Sequence, residues 1–193
     1  MTEDDKLKAN IKEIWANLED WGEYPTSETG IAIVKFPISQ TSQAFVGLKL
    51  KKFENSKKGV FLKSMQEIAA FRELLNCNEI CDFFQDETLQ KDVSTNEEWV
   101  EIASEIPGIG YTKIPNRSDP AGTPAIVINP VNGAGKKMKR KNLYLQNIED
   151  IAKYRELFNN QKIDRVMQVI EEINHELTIE FRVAQSKIIG KFK

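Results

Sequence analysis

The sequence predicts an α+β fold of two tandem β-β-β-α units with antiparallel sheets and pseudo-twofold symmetry, followed by a long C-terminal helix. Three observations predict it. The segment KKGVFLKSMQEIAAFRELLN at residues 57–76 is nearly repeated as KRKNLYLQNIEDIAKYRELFN at residues 139–159. Before the first copy, in AFVGLKLKKF, apolar residues occupy alternate positions, which is typical of half-buried strands. In residues 161–193 the apolar residues are instead spaced as on one face of an α-helix.

The internal repeat is the strongest of these signals, since duplicated segments mark duplicated structural units. Alignment of residues 60–76 with residues 143–159 gives seven identities in 17 positions. The identical pairs are Leu62/Leu145, Ile68/Ile151, Ala69/Ala152, Arg72/Arg155, Glu73/Glu156, Leu74/Leu157 and Asn76/Asn159. Upstream, GIAIVKFP at residues 30–37 resembles GIGYTKIP at 108–115, and FVGLKLKKF at 45–53 takes the place of AIVINPV at 125–131.

The best strand pattern is AFVGLKLKKF. One face of this strand carries Phe45, Gly47, Lys49 and Lys51, and the other carries Val46, Leu48 and Leu50. VFLKS is predicted as a second, shorter strand. We therefore expect an apolar sheet face covered by a helix and an opposite face that carries lysines.

Each predicted helix opens with a polar cap. Ser64 with Glu67 forms the sequence pattern of a capping box, and Asn147 with Asp150 plays a similar part in the second copy. A helical apolar stripe follows in both copies: Ile68, Phe71, Leu74 and Leu75, and Ile151, Tyr154, Leu157 and Phe158.

Three further helices are predicted. LKANIKEIWANLEDWGEYP at residues 7–25 has an apolar face, and TNEEWVEIASEI at residues 95–106 has a capping pattern at Thr95 and Glu98. Trp15, Trp21 and Trp99 are expected to pack in the core or between helix and sheet. In the C-terminal segment, heptad-like spacing links Ile163, Val166, Ile170, Ile173 and Leu177. That helix either packs on its own chain or, as we expect, forms a homodimer.

The predicted domains are a first repeat with its N-terminal helix at residues 1–94, a second repeat at 95–160, and the C-terminal amphipathic helix at 161–193. The N-terminus lacks the apolar core of a signal peptide, and no apolar run approaches the length of a membrane span. Cys77 and Cys81 are not spaced as a C-x-x-C motif and are expected to be buried thiols. We therefore expect a cytoplasmic, nuclear or nucleoid-associated protein without membrane contact.

Charge is segregated along a chain whose net charge is only −2. Residues 47–63 hold six lysines against one glutamate, and residues 111–145 hold seven basic residues against one aspartate. Residues 64–110 hold eleven acidic residues against two basic ones. Such segregation predicts a basic face that attracts polyanions.

The basic windows and the aromatic residues among them form the predicted nucleic-acid site. A basic groove holds phosphates, while aromatic faces stack on unpaired bases. Phe61 and Tyr144 are as typical of a core as of stacking, and Phe53 is the better candidate for exposure. The predicted residues are Lys49, Lys51, Lys52, Phe53, Lys57, Lys58, Phe61, Lys63, Tyr111, Lys113, Arg117, Lys136, Lys137, Lys139, Arg140, Lys141 and Tyr144.

The order of strand, basic turn, short aliphatic strand (KKGVFL) and amphipathic helix resembles the positive-cofactor-four family of transcriptional coactivators. The second copy, AIVINPVNGAGKKMKRKNLYLQNIEDIAKYRELF, is similar in layout. The related Whirly and Pur-alpha proteins share this plan. ThermoDBP-type single-stranded-DNA-binding proteins offer a second comparison through their similar length and C-terminal dimerising helix. These resemblances, which cover residues 45–76 and 125–160, imply binding of single-stranded DNA.

The sequence favours single-stranded DNA or RNA binding in transcription or DNA maintenance over enzymatic activity. His175 is the only histidine, so a histidine-based triad is excluded and a His-rich zinc site is unsupported. NGAGKK lacks the spacing of a phosphate-binding loop. We expect no cofactor and no metal. The other function considered is a protein-interaction or scaffold module that uses the acidic segment 64–110 and the C-terminal helix.

Overall fold

The protein has a mixed α+β fold with antiparallel sheet pairing and a long C-terminal helix, which confirms this part of the prediction. The computed structural model describes residues 2–38, 43–51, 59–86, 100–102, 109–114, 124–130 and 143–190. The described residues fall into two compact units. The first unit lies within Met1–Lys49, Leu62–Met65 and Gln161–Lys193, and the second lies within Leu50–Phe61 and Gln66–Asn160.

These units divide the chain differently from the predicted segments 1–94, 95–160 and 161–193. The first unit combines the N-terminal strands with the C-terminal helix, because that helix packs on its own chain through contacts described below. The second unit combines the helix that follows the first sheet with the whole of the second sheet.

Helix α1 (Glu3–Asn17) begins with a complete capping box, which was not among the predicted caps. The Thr2 hydroxyl accepts a hydrogen bond from the Asp5 N–H, and the Asp5 carboxylate accepts one from the Thr2 N–H. These two bonds satisfy amide groups that a helix start leaves unpaired. The predicted apolar face is present, and its residues Ile11 and Ile14 are buried.

The first sheet has four strands in the order β1 (Glu23–Pro25), β2 (Ile31–Phe36), β3 (Phe45–Leu50) and β4 (Val60–Leu62). Strand β1 runs antiparallel to β2 and pairs Glu23 with Val34. The prediction of three strands missed β1, because all three of its residues are exposed and it therefore lacks an alternating pattern.

The second sheet has four antiparallel strands in the order β5 (Val100–Ile102), β6 (Ile109–Ile114), β7 (Ala125–Pro130) and β8 (Leu143–Leu145). The predicted helix at residues 95–106 is wrong over β5, where Glu101 pairs with Thr112. Pairing with β6 overrides the local capping pattern there, since strand pairing depends on tertiary context.

Three helices belong mainly to the second unit: α2 (Met65–Leu75), α3 (Asn78–Gln85) and α4 (Ile148–Phe158). The apolar stripe predicted for α2 is buried along its length, and α4 buries the same stripe except at Leu157. The predicted cap of α4 is confirmed, since Asn147 Oδ1 accepts a hydrogen bond from the Asp150 N–H at 2.9 Å. The Asp150 carboxylate accepts from the Gln146 N–H at 2.8 Å, one residue before the capping-box position.

Helix α5 (Gln161–Gly190) spans 30 residues and packs within the first unit. Its buried residues are Ile163, Met167, Val169, Ile170 and Ile173, whereas the predicted positions Val166 and Leu177 are half-buried. The Asn174 amide binds both backbone groups of Val46 on β3 at 2.8 Å. The first half of the predicted apolar stripe therefore packs on its own chain.

Candidate nucleic-acid interface

Five of the predicted site residues have described side chains: Lys49, Lys51, Phe61, Lys63 and Tyr144. For Tyr111 and Lys113 the structure describes the backbone of β6. The other ten lie outside the described residues: Lys52, Phe53, Lys57, Lys58, Arg117, Lys136, Lys137, Lys139, Arg140 and Lys141. Both predicted basic turns belong to this last group.

Lys49 does not lie on an open cationic surface, and the prediction of an exposed lysine at this position is wrong. It is 4% exposed, and its ammonium group contacts the carboxylate of Glu23 on β1. A buried charge needs such a partner because desolvation otherwise destabilises it. Lys51, just past the end of β3, is half-buried.

Lys63 lies over a pair of aromatic rings. The Phe36 and Phe45 rings stack with their centroids 4.4 Å apart and their planes 7° from parallel. The Lys63 Nζ lies 4.3 Å from the Phe45 centroid and 5.5 Å from the Phe36 centroid, which is cation–π geometry. The lysine therefore adds positive charge to an aromatic surface of the first unit.

Gly47 makes room for this ring pair. A Cβ atom at this position would lie 2.6 Å from the Phe36 ring and 2.7 Å from the Leu62 carbonyl oxygen, closer than van der Waals contact allows. Because Gly47 has no side chain, the Phe36 ring can approach β3 closely at this position.

Tyr144 is an exposed aromatic residue of the second sheet. Its side chain is 43% exposed, whereas Leu143 and Leu145 on either side are buried. Phe61 holds the middle position of β4 and is half-buried between buried Val60 and Leu62. At both positions the sequence left core and stacking open, and neither ring belongs to the buried core.

The register of β6 separates Tyr111 and Lys113 from Tyr144. Tyr111 pairs with Ile128 and Lys113 pairs with Ile126, and both isoleucines are fully buried. Tyr144 pairs with Val127, which alternates with those two isoleucines along β7. The backbone register therefore assigns Tyr111 and Lys113 to a different set of sheet positions from Tyr144.

Trp21 and Glu23 are two residues of this region that sequence reasoning did not assign to the site. Trp21 was expected to pack in the core or between helix and sheet, yet it is 46% exposed and its ring meets Phe36 edge-on at 5.3 Å. Glu23 is a single acid far from the basic windows in sequence. No local signal links it to Lys49, because the two strands meet only in the folded sheet.

Other chemistry among the described residues is limited. No group of three or more His, Cys, Asp or Glu side chains there could hold a metal ion. His175 is exposed on α5. Cys77 and Cys81 form no disulfide and are half-buried rather than buried as predicted, and Arg155 Nη2 lies 3.0 Å from the Cys81 sulfur.

Comparison of the chain with protein-family models, curated proteins and solved structures gives no match. Within the part of the chain that the structure describes, every helix is too short or too polar to cross a membrane. The resemblance to positive-cofactor-four-like proteins stays a prediction.

Proposed function

We propose that this protein binds single-stranded nucleic acid through exposed aromatic rings and neighbouring basic residues. The observation that carries the proposal is the exposed ring of Tyr144 in the middle of β8, between two buried leucines. An aromatic ring held outward by a rigid strand is a suitable platform for an unpaired base, and each such stack contributes about 1–3 kcal/mol.

The positions of the basic residues in the sequence support the same function. Phe61 aligns with Tyr144, and each ring follows a basic turn: Lys57 and Lys58 before Phe61, and residues 136–141 before Tyr144. Because they are close to the two rings in the sequence, we propose that these cations bind the phosphates that flank a stacked base. Each neutralised phosphate should steepen the log–log salt dependence of binding by about 0.7.

We also propose that the two sheet–helix halves are tandem copies related by pseudo-twofold symmetry. Their strands follow the same order in each sheet, and each sheet is followed by an 11-residue helix. Arg72 Nε donates a hydrogen bond to the Phe158 carbonyl oxygen, and Arg155 Nε donates one to the Leu75 carbonyl oxygen. Because Arg72 aligns with Arg155 and Leu75 with Phe158, these contacts have the reciprocity of a two-fold interface.

Fluorescence anisotropy with labelled oligo(dT) and with duplex DNA, at two salt concentrations, tests the function. We expect preference for the single strand and weaker binding at high salt. Tyr144→Ala should lower the affinity about 5- to 150-fold, the equivalent of one base stack, while Tyr144→Phe retains the ring and most of the affinity. Tyr24→Ala, which removes another exposed tyrosine on β1, is the control.

Charge reversal tests the phosphate contribution. Exchange of Lys136, Lys137, Lys139, Arg140 and Lys141 for glutamate should abolish oligonucleotide binding and leave the circular dichroism spectrum unchanged. Absence of oligo(dT) binding by the wild-type protein at low salt would refute the proposed function, and unchanged affinity in the charge-reversed variant would exclude this loop.

A second candidate is a protein-interaction module that self-associates through α5. The observation that favours it is Ile179, which is 50% exposed on α5 beyond the residues buried in the first unit. We therefore propose a homodimer through the C-terminal part of this helix. Ile179→Lys should convert a dimer to a monomer in sedimentation equilibrium, with the exposed Arg182→Ala as control. A monomeric wild-type protein at micromolar concentration would contradict this candidate.

A further inference from the structure

Trp21 is held in a rigid position by its backbone. Its φ of 63° makes it the non-glycine residue with a left-handed backbone among those described. The Trp21 N–H donates to the Lys35 carbonyl oxygen at 2.8 Å, and the Lys35 N–H donates to the Gly22 carbonyl oxygen at 3.3 Å. The Gly22 N–H donates a hydrogen bond to the Glu19 carbonyl oxygen at 2.8 Å and closes the preceding turn. These bonds fix the direction in which the indole leaves the chain.

The left-handed backbone is unfavourable for tryptophan. A Cβ atom makes this conformation strained, whereas glycine adopts it without strain. The Trp21 ring contacts Phe36, yet the residue remains 46% exposed. Strained backbone that presents a partly exposed side chain is a recognised feature of binding sites.

Trp21 also ends a line of aromatic residues that carries positive charge. Its ring lies edge-on to Phe36 at 62°, Phe36 stacks on Phe45, and Lys63 Nζ lies over that pair. Phe36 is buried and Phe45 half-buried, so the indole packs against a ring that belongs to the core. Three acids lie close to Trp21 in the sequence: Glu23 is paired with Lys49, whereas Glu19 and Asp20 are exposed, so the positive charge on this side comes from Lys63.

We propose that Trp21, in the first unit, is itself a stacking platform for an unpaired base of single-stranded nucleic acid. This inference rests on the proposed function and adds a residue outside both basic windows. The chemistry fits a base attached to a phosphate chain: the exposed indole offers a flat surface for the base, and Lys63 offers positive charge to the backbone. A pre-positioned ring loses little conformational entropy when the base stacks.

Tryptophan fluorescence provides the direct test. In the variant W15F/W99F, Trp21 is the only tryptophan, and we expect oligo(dT) to quench its emission with the same midpoint as the anisotropy titration. An oligonucleotide of equal length and charge with abasic sites should quench it much less, because it offers no base to stack. Binding seen by anisotropy with unchanged Trp21 emission would overturn the inference.

A matched pair of substitutions gives an independent test. Trp21→Ala should weaken oligo(dT) binding about 5- to 150-fold, as expected for loss of one base stack, and Trp21→Phe should retain most of the affinity. Tyr24→Ala is the control, because Tyr24 is also 46% exposed on the neighbouring strand. Equal affinities of Trp21→Ala and Tyr24→Ala would overturn this inference while leaving the proposed function intact. If the wild-type protein binds no oligonucleotide, both fail.

Discussion

Arg72 and Arg155 each donate a hydrogen bond to the last residue of the helix that carries the other. Arg72 lies on α2 and binds the carbonyl oxygen of Phe158 at the end of α4, and Arg155 lies on α4 and binds that of Leu75 at the end of α2. The last carbonyl groups of a helix lack partners within the helix and carry partial negative charge. Each guanidinium group therefore satisfies an acceptor and complements the dipole of the facing helix.

Loss of either arginine should destabilise the second unit. Arg72→Ala and Arg155→Ala should each lower the free energy of unfolding by about 1.5–3 kcal/mol, the range for hydrogen bonds that involve a charged group. We expect the larger loss for Arg155, whose guanidinium also contacts Cys81. Urea unfolding measures the effect, with Arg182→Ala at an exposed position of α5 as control. Equal stability of all three variants would show that the reciprocal contact contributes nothing.

Four helices of this fold, α1, α2, α4 and α5, are predictable from sequence, while α3 and two strands were not predicted. The apolar stripe that contains Ile68 and Phe71 was predicted from its helical spacing, and both residues are buried on α2 in the structure. Strand β1 has no exposed–buried alternation, and β5 lies in a segment with a helix-capping pattern. Both short strands depend on pairing with a neighbour, and that information is not local.

The candidate site divides in the same way. Alternation along β3 predicts that Lys49 shares a face with Phe45 and Gly47, but alternation carries no information about what covers that face. In the folded sheet, Glu23 reaches Lys49 from another strand. The exposure of Tyr144 likewise depends on the packing around β8, which the sequence left open.

The Lys49–Glu23 pair should contribute to stability rather than to binding. Glu23→Ala removes the carboxylate, which lies at an exposed position of β1, so we expect the free energy of unfolding to fall by about 1.5–3 kcal/mol, the range for hydrogen bonds that involve a charged group. The double variant K49M/E23L should recover most of that loss, because it removes both charges. Chemical denaturation of the single and double variants measures this difference.

The same pair allows a binding control. Lys49→Met should leave oligo(dT) affinity and its salt dependence unchanged, since the ammonium group is not available to phosphate. A decrease of about 0.7 in the salt slope would instead show that Lys49 neutralises a phosphate, contrary to its position in this structure.

Tyr154 should make the protein sensitive to alkaline pH. Burial, together with the nearby Asp150 carboxylate, raises the pKa of Tyr154 from its ordinary 10.0 to about 12. The folded state therefore keeps the phenol neutral while the unfolded chain ionises it above pH 10, so stability falls between about pH 10 and 12. Tyr154→Phe lacks this loss, and its stability relative to wild type should rise by at most about 1.4 kcal/mol per pH unit in that window. Tyr24→Phe serves as control, and parallel pH curves for Tyr154→Phe and wild type would contradict the assignment.

At acid pH the contact between α1 and α5 should weaken through Glu176. Hydrogen bonds from Lys12 and Lys8, each at 2.5 Å, lower the pKa of Glu176 from its ordinary 4.5 to about 2. Because the folded state favours the carboxylate, its stabilising contribution is complete above about pH 4.5 and is lost as the pH falls toward 2. These lysine–glutamate contacts are exposed to solvent, so their contribution to stability at neutral pH should be only about 0.2–1 kcal/mol and should decrease with added salt.

Glu176→Gln tests this contribution. The variant should be slightly less stable than wild type at pH 7, and the two stabilities should converge between about pH 4.5 and 2, because protonation removes the same charge from the wild-type protein. Glu180→Gln, at an exposed position one turn further along α5, should match the wild type throughout. Thermal unfolding at low ionic strength measures these differences. A Glu176→Gln deficit that stays constant down to pH 2 would show that the side chain stabilises the helix pair through packing rather than through its charge.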